Sequence, residues 1–289
     1  MPNEFMRDQW TRYGGPAWVE HHEIFDAVYA PFNQAAIAAL GPLEGLTVLD
    51  VGCGSGSLSQ AVIEHGGVAV GVDISETMIA GARALVPGGR FEVADAQTEP
   101  LGDLAPGGFD RVTSRFGVMF FDDPVAAFAN VRDVVVPAAR LAFVCWQSLA
   151  DNPTFSCGTH VLVERMPDPP PPPGPGAPGP SAFADPEVVR AILAEAGWAD
   201  VAIEPFEATC RFGMNGSDGV EERMTMLMAT QSGRLATEQL RPALDDDAWQ
   251  MLLDEVRADV RTSMDDGEVA FPGRTWVVTA ANPEAAPSA

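Results

Sequence analysis

Residues 46–58, which run LTVLDVGCGSGSL, decide the fold. The apolar segment from Leu46 to Val51 has the length and the β-branched content of a buried strand. It ends in glycines at alternate positions, Gly52, Gly54 and Gly56, where a backbone without Cβ atoms turns tightly and approaches a ligand closely. An amphipathic helix follows, so unpaired N–H groups and the positive end of a helix dipole lie beside the turn. The stretch therefore predicts a nucleotide-type ligand.

The spacing of the glycines distinguishes between nucleotide ligands. The dinucleotide fingerprint Gly-x-Gly-x-x-Gly requires glycine at position 57, where the chain has Ser57. The chain instead has Asp50 at the end of the strand, followed by the alternating glycines and Cys53. This pattern resembles motif I of the class I S-adenosylmethionine (SAM)-dependent methyltransferases, which implies that the acid and the turn hold the amino acid end of SAM. The alternative is an unrelated α/β protein with a glycine-rich first turn.

Two further acids extend the resemblance. Asp73 ends a second predicted strand, about 20 residues after the glycine turn, where a carboxylate accepts the ribose hydroxyls. The resemblance also implies that Asp95 accepts from the adenine amino group and that the backbone at Ala96 binds a ring nitrogen. Ile74 and Met78 are predicted to lie on the adenine faces, and core packing is the alternative for both.

The stretch after the fourth predicted strand narrows the subgroup. Residues 114–121, SRFGVMFF, and the CWQ that ends strand five resemble bacterial small-molecule methyltransferases related to the ubiquinone and menaquinone C-methylases. The Pro-Pro-Tyr signature of amino-group methyltransferases is absent at this place. We expect Arg115 to bind the SAM carboxylate or an anionic acceptor group, unless it pairs with a nearby acid. Phe116 and Met119 are expected to contact the acceptor.

The order of elements predicts an α/β fold, a Rossmann-like doubly wound sheet of seven strands in which strand seven is antiparallel. A helical lid precedes this core, and a helical cap is inserted between strands six and seven. The expected boundaries are 1–40 for the lid, 41–212 and 274–281 for the core, 167–180 for a Pro/Gly-rich loop, 213–273 for the cap and 282–289 for a disordered tail. The proline-rich loop is expected to be a surface connector.

The cap is rich in methionine, which lines adaptable apolar surfaces. Met224 and Met228 are therefore predicted to contact the acceptor, with ordinary helix packing as the alternative. No residue is a convincing catalyst by its spacing. His160 and His22 are weak candidates for a general base, and a solvated histidine is the alternative for each.

Composition excludes several classes of partner. The 289 residues include 17 basic residues, all arginine, and 41 acidic ones, for a net charge of −24. Such a charge opposes binding to nucleic acid or to an anionic membrane. No apolar run approaches a membrane span, no signal segment is evident, and the four cysteines lack metal-ligand spacing. We expect a cytoplasmic protein with reduced cysteines, no metal and no membrane insertion; a homodimer is left open.

These observations favour one function. We expect the protein to transfer the methyl group of SAM to a carbon or oxygen of an apolar small molecule, in specialised or quinone-type metabolism. Such a transfer mainly requires aligned reactants and a dry site. The alternatives are methylation of protein or RNA, which the net charge opposes, and a SAM-binding module without catalysis.

Overall fold

A computed structural model describes residues 2–174 and 176–283. The strands are β1 (Thr47–Val51), β2 (Val68–Asp73), β3 (Arg90–Val93), β4 (Phe109–Arg115), β5 (Val135–Trp146), β6 (Ala199–Arg211), β7 (Met264–Asp265) and β8 (Glu268–Ala281). The helices are α1 (Glu4–Asp8), α2 (Gly15–Glu20), α3 (His22–Leu40), α4 (Ser57–Glu64), α5 (Glu76–Leu85), α6 (Pro124–Arg132), α7 (Thr159–Val163), α8 (Pro186–Glu195), α9 (Val220–Ala229), α10 (Gln231–Leu240) and α11 (Asp246–Val260). A π-helical segment, Gln9–Gly14, joins α1 to α2.

The main sheet has the order β3-β2-β1-β4-β5-β8-β6. Strands β1 to β5 pair in parallel, and β8 runs antiparallel between β5 and β6. The predicted doubly wound sheet with one antiparallel strand is thus confirmed. The short β7 is an addition that forms a hairpin with β8. Among the described residues, none of the helices combines the length and apolar character needed to cross a bilayer.

The register of the parallel strands brings their carboxyl ends to one edge. Asp50 of β1 lies beside Gly71 of β2 on one side and beside Thr113 of β4 on the other. The turns after these strands therefore emerge together, as expected at the ligand-binding edge of a doubly wound sheet. This register explains how motifs separated by about 20 residues can share one site.

Two of these turns approach each other backbone to backbone. Gly52 has φ +66°, and a Cβ added there would lie 2.8 Å from the Cα of Gly117 in the turn after β4. A Cβ on Gly117 would lie 2.7 Å from the carbonyl oxygen of Val51. Real Cβ atoms do not approach backbone so closely, so both positions require glycine for the turns to meet.

Helix α3 covers one face of the sheet with a row of aromatic side chains. Phe25, Tyr29 and Phe32 are buried on it, at the i, i+4, i+7 spacing of one helix face. Tyr29 meets Phe116 and Trp146 edge-on, with ring centroids 5.5 and 5.9 Å away. These contacts fix α3 against the ends of β4 and β5.

Hydrogen bonds hold the C-terminal end of the described residues against the sheet. Asn282 donates its backbone N–H to the Ala139 carbonyl at 2.9 Å and its side chain to the Val136 carbonyl at 3.1 Å. The predicted disorder of the tail therefore does not extend to Asn282, because these bonds hold it on β5. The rest of that prediction, residues 284–289, lies outside the described residues. All four cysteines are free and buried, as the sequence predicted.

The contact between the two turns leads to a stability prediction. Gly117 has φ −77°, which alanine adopts readily, so Gly117→Ala tests only whether the junction has room for a methyl group. The added methyl should overpack the junction and lower the free energy of unfolding by about 1–3 kcal/mol. Gly107→Ala is the matched control, since a Cβ there meets nothing within 4 Å. Urea unfolding measures both, and equal midpoints for the two variants would contradict the close approach.

Candidate active site

A cavity of about 700 Å³ opens at the carboxyl edge of the sheet. Its floor is formed by the turns after β1, β2, β3 and β4. Its walls come from the N-terminal segment, the proline-rich loop and the cap helices α9 and α10. The volume lies within the range of small-molecule sites. The three segments outside the sheet therefore enclose the strand ends.

Asp50 lies on the cavity floor but is 1% exposed. Ser59 donates its hydroxyl to Oδ2 of Asp50 at 2.6 Å, while Oδ1 has no hydrogen-bond partner among the described residues. Burial raises the pKa of Asp50 to about 6, although the bond from Ser59 and the charge of Arg115 both lower it. A buried acid with an unused oxygen is suited to bind a cationic group of a ligand.

Asp73 closes the glycine turn. Its Oδ2 accepts the Gly54 N–H at 3.0 Å, and its Oδ1 accepts the Ser75 N–H at 2.9 Å. Burial raises the pKa of Asp73, and these bonds lower it. A carboxylate has about four acceptor sites, so two remain for a ligand. Gly54 has φ +55°, and a Cβ there would meet nothing within 4 Å, which leaves the space beside the turn open.

Asp95 differs from Asp73 because protein donors already surround it. Its two oxygens accept the side-chain amide of Asn3 at 2.9 and 3.1 Å. Oδ1 also accepts the Gln97 N–H at 2.9 Å, and Oδ2 accepts the Thr98 hydroxyl at 3.0 Å. Four donor contacts fill the acceptor sites of the carboxylate. The N-terminal segment is thereby fastened at the place where the resemblance puts the adenine amino group.

Arg115 lies on the cavity wall at the end of β4. Its Nε and Nη1 have no hydrogen-bond partner, and it forms no ion pair within 4 Å with a carboxylate of the described residues. Its guanidinium lies 5.6 Å from the ring centroid of Tyr29. Burial lowers its pKa, and the charges of Asp26 and Asp50 partly oppose this. The salt bridge that we considered as the alternative is therefore not formed.

Aromatic rings line the middle of the cavity. Phe116 stacks on Trp146 with 4.2 Å between centroids, and both line the wall together with Tyr29. On the N-terminal side, Trp10 meets Phe120 edge-on at 5.4 Å. Rings from the sheet and from the N-terminal segment thus face one space, which suits an apolar or aromatic ligand.

The proline-rich loop forms part of the far wall. Pro170, Pro171 and Pro173 line the cavity, as does the segment 178–181. Near one end of the loop, Asp168 exchanges two hydrogen bonds with the Gln239 side chain of α10. Near the other end, the Gly179 N–H donates to the Met119 carbonyl at 2.9 Å. Residues 167–174 of this surface connector are exposed, and these anchors also hold the loop along the cavity wall.

The cavity wall includes most of the predicted cofactor residues. These are Asp50, Gly52, Cys53, Gly54, Asp73, Ile74, Met78, Asp95, Ala96 and Arg115. Gly56 is not on the wall. It is the N-cap residue of α4, and a Cβ there would lie 3.0 Å from the Val86 side chain. Its requirement for glycine comes from its φ of +94° and from packing.

Of the four predicted acceptor residues, two lie on the cavity wall and two do not. Phe116 and Met119 line the cavity, whereas Met224 and Met228 do not. These two lie one helical turn apart on α9, and Met226 between them faces the cavity from the opposite side. The two methionines predicted from the sequence, Met224 and Met228, therefore lie on the face of α9 that does not line the cavity.

Neither predicted histidine lies on the cavity wall. His160 has a half-exposed side chain whose Nε2 is 3.6 Å from Asp259. His22 hydrogen-bonds the Val19 carbonyl at 3.0 Å and faces a separate, smaller recess. Both positions fit the alternative of a histidine without a chemical role.

Sequence reasoning missed Arg223, which is 1% exposed and lines the cavity from α9. Its Nη2 donates to the carbonyls of Thr154 and Cys157 at 3.0 and 2.6 Å, and its Nε has no partner. A buried charge without a counter-ion is destabilising by several kcal/mol. A signal existed in the sequence, since Arg223 interrupts the apolar face of α9 formed by Val220, Met224 and Leu227.

The buried state of Asp50 leads to a pH prediction. Its folded pKa of about 6 is above the ordinary value of 3.8, so the protonated acid favours folding and this stability is lost as pH rises through 6. The side chain in the Asp50→Asn variant cannot ionise, so this variant should not lose stability as the pH rises. Between about pH 4.5 and 7.5 the variant should gain roughly 2 kcal/mol of unfolding free energy relative to wild type. Urea unfolding across this range measures the difference, and parallel curves would contradict it.

Comparison with known proteins places the chain in a family. A methyltransferase-domain model matches residues 49–143. The demethylmenaquinone methyltransferase of Corynebacterium kroppenstedtii is 30% identical over 179 residues, which cover 59% of this chain and 75% of the relative. The ubiquinone biosynthesis O-methyltransferase of Idiomarina loihiensis is 32% identical over 127 residues, or 41% of this chain. That match spans about half, 52%, of the relative.

Solved structures agree on the fold. The YcgJ protein of Bacillus subtilis superposes with a TM-score of 0.54 at 16% identity, covering 89% of this chain and 99% of that one. This likeness concerns the fold alone. The sequence matches, together with the alternating glycines and the acids at the strand ends, identify the family and its cofactor. The chain belongs to the class I SAM-dependent methyltransferases.

Proposed function

We propose that this protein transfers the methyl group of SAM to a carbon or oxygen of an apolar small molecule. The observation that carries the proposal is the single cavity in which the cofactor turns and an aromatic wall face each other. When bound, SAM supplies a methyl group activated by its sulfonium centre. The protein residues bind both molecules, align them and exclude water.

The residues on the cavity floor fit the cofactor. Arg115 has two nitrogens without partners and suits the carboxylate of SAM. The ionised form of Asp50 suits its ammonium group, and the two unused acceptor sites of Asp73 suit the ribose hydroxyls. Gly54 leaves open space beside the Asp73 carboxylate. The unpaired groups at this end of the cavity therefore match the charges of the amino acid end of SAM.

The adenine end requires one rearrangement. Asp95 accepts four hydrogen bonds from the protein, two of them from the Asn3 amide. An adenine amino group that bonds Asp95 would replace the Asn3 amide. Ile74 and Met78 line the cavity at this end and suit the two faces of the base. We infer that the N-terminal segment shifts when the cofactor enters.

The far half of the cavity suits the acceptor. Phe116 and Trp146 present stacked rings, and Met226 and the prolines complete an apolar wall. An arginine of the cap, Arg234, lies over the Tyr13 ring at 4.3 Å and donates a hydrogen bond to the Gln9 side chain at 3.2 Å. These contacts join the cap to the N-terminal segment beside the cavity. We infer that these two segments close the site against water during transfer.

The relatives support a small-molecule acceptor. Two of them carry the names of ubiquinone and demethylmenaquinone methyltransferases, and both names describe quinone chemistry. The net charge of −24 also favours a small molecule over nucleic acid. No histidine lines the cavity among the described residues, which favours an acceptor that is already nucleophilic, such as an electron-rich ring carbon or an ionised oxygen.

A test combines binding with turnover. Calorimetry should give micromolar binding of S-adenosylhomocysteine (SAH), and labelled SAM should methylate members of a panel of phenols and quinols. Asp73→Asn should weaken SAH binding at least tenfold, because the amide lacks the charge that strengthens the ribose hydrogen bonds. Asp110→Asn is the control, since its carboxylate binds the Thr47 N–H away from the cavity.

Two outcomes would count against the proposal. Equal SAH affinity in the folded Asp73→Asn variant would place the ribose elsewhere. Methylation of protein or RNA, with no transfer to any small molecule of the panel, would show that the acceptor class is wrong.

A further inference from the structure

Arg223 carries an inference about the acceptor, and it rests on the proposed function. We propose that the acceptor bears an anionic oxygen group, such as a carboxylate, which binds Arg223 on the cap side of the cavity. The apolar body of the acceptor then lies along the aromatic wall. The inference adds a charge requirement to an acceptor that the sequence predicted only as apolar.

The first argument is the missing counter-ion. The chain has 41 acidic residues, yet Arg223 forms no ion pair with any carboxylate of the described residues. Its contacts are two backbone carbonyls and the rings of Phe212 and Phe271, whose centroids lie 5.8 and 5.6 Å from the guanidinium carbon. Carbonyls and rings stabilise a cation only in part. A ligand anion would supply the charge that the protein does not.

The second argument is the position of the unpartnered nitrogen. The Arg223 side chain is 1% exposed, its Nε has no hydrogen-bond partner, and the residue lines the cavity. The two carbonyl bonds hold Nη2 in place, so the planar guanidinium has a fixed orientation. A fixed guanidinium with an unused donor suits a carboxylate.

Neutral hydroxyl side chains lie near this cation. Tyr29 and Thr154 both line the cavity, and the charges of Arg223 and Arg115 both act on the Tyr29 phenol. Burial raises the pKa of Tyr29 to about 12, and a side-chain hydrogen bond with Thr154 lowers it, so the Tyr29 hydroxyl is neutral and already has one partner. An acceptor anion at Arg223 would therefore share this part of the wall with the neutral hydroxyls of Tyr29 and Thr154.

The other arginines of the cavity have different roles. Arg115 lies near Asp26 and Asp50 at the cofactor end, and we assign it to the SAM carboxylate. Arg234 is 3.5 Å from Glu238 and also bonds Gln9, so it already has partners. Of the three, only Arg223 is both fully buried and without a carboxylate partner among the described residues.

The experiment compares matched ligands that differ only in charge. Calorimetry with saturating SAH measures the binding of benzene-, naphthalene- and anthracene-carboxylates, each against its uncharged carboxamide. At least one carboxylate should bind tenfold or more tightly than its amide. In Arg223→Met this preference should fall to about one, while in Arg257→Met, at a cap arginine that pairs with Glu221 away from the cavity, it should remain.

Several results would overturn the inference. These are amides that bind as tightly as the carboxylates throughout the series, a preference that survives in Arg223→Met, or one that is lost equally in Arg257→Met. SAH affinity reports folding and separates the two proposals, since a protein that binds SAH but shows no anion preference refutes only this inference. If Arg223→Met does not bind SAH, Arg223→Lys keeps the charge and should keep part of the preference.

Discussion

The contact between Gly52 and Gly117 is the constraint on which the site depends. It allows the turns after β1 and β4 to meet without side chains between them, with only 2.8 Å from a hypothetical Gly52 Cβ to the neighbouring backbone. Asp50 and the glycine turn lie on one side of this junction, and Phe116 of the aromatic wall lies on the other. Because the junction is backbone against backbone, the cofactor half and the acceptor half of the cavity have a fixed relation.

Charge is distributed unequally along the cavity. Carboxylates lie at the strand ends, where Asp50 is buried, Asp73 is partly buried, and the pKa values of both are raised. Guanidinium groups lie on β4 and on the cap, and two of them lack carboxylate partners within ion-pair distance among the described residues. Burial makes each unpaired charge unfavourable in the free protein, and a ligand of opposite charge relieves that penalty. The site is therefore arranged for ligands that carry both signs of charge.

The fold and the cofactor turns could be predicted from sequence because they depend on local patterns. The length of the apolar run before Gly52 indicates a buried strand, and the spacing of Asp73 from the glycine turn indicates an acid at the end of the next strand. The rest depends on long-range contacts. The proline-rich loop became a wall because Gln239 and Met119 bind its ends, and no local pattern shows that. Likewise, the methionines of α9 alternate around the helix, so only packing decides that Met226 faces the cavity.

A crystal structure of the complex with SAH tests the central claim most directly, which is that the unpaired groups at the strand ends bind the cofactor. We expect the SAH carboxylate within about 3 Å of the Arg115 nitrogens, and the ribose hydroxyls at the same range from Asp73. The Asn3 amide should have moved away from Asp95. An SAH molecule that contacts neither Arg115 nor Asp73 would contradict the account.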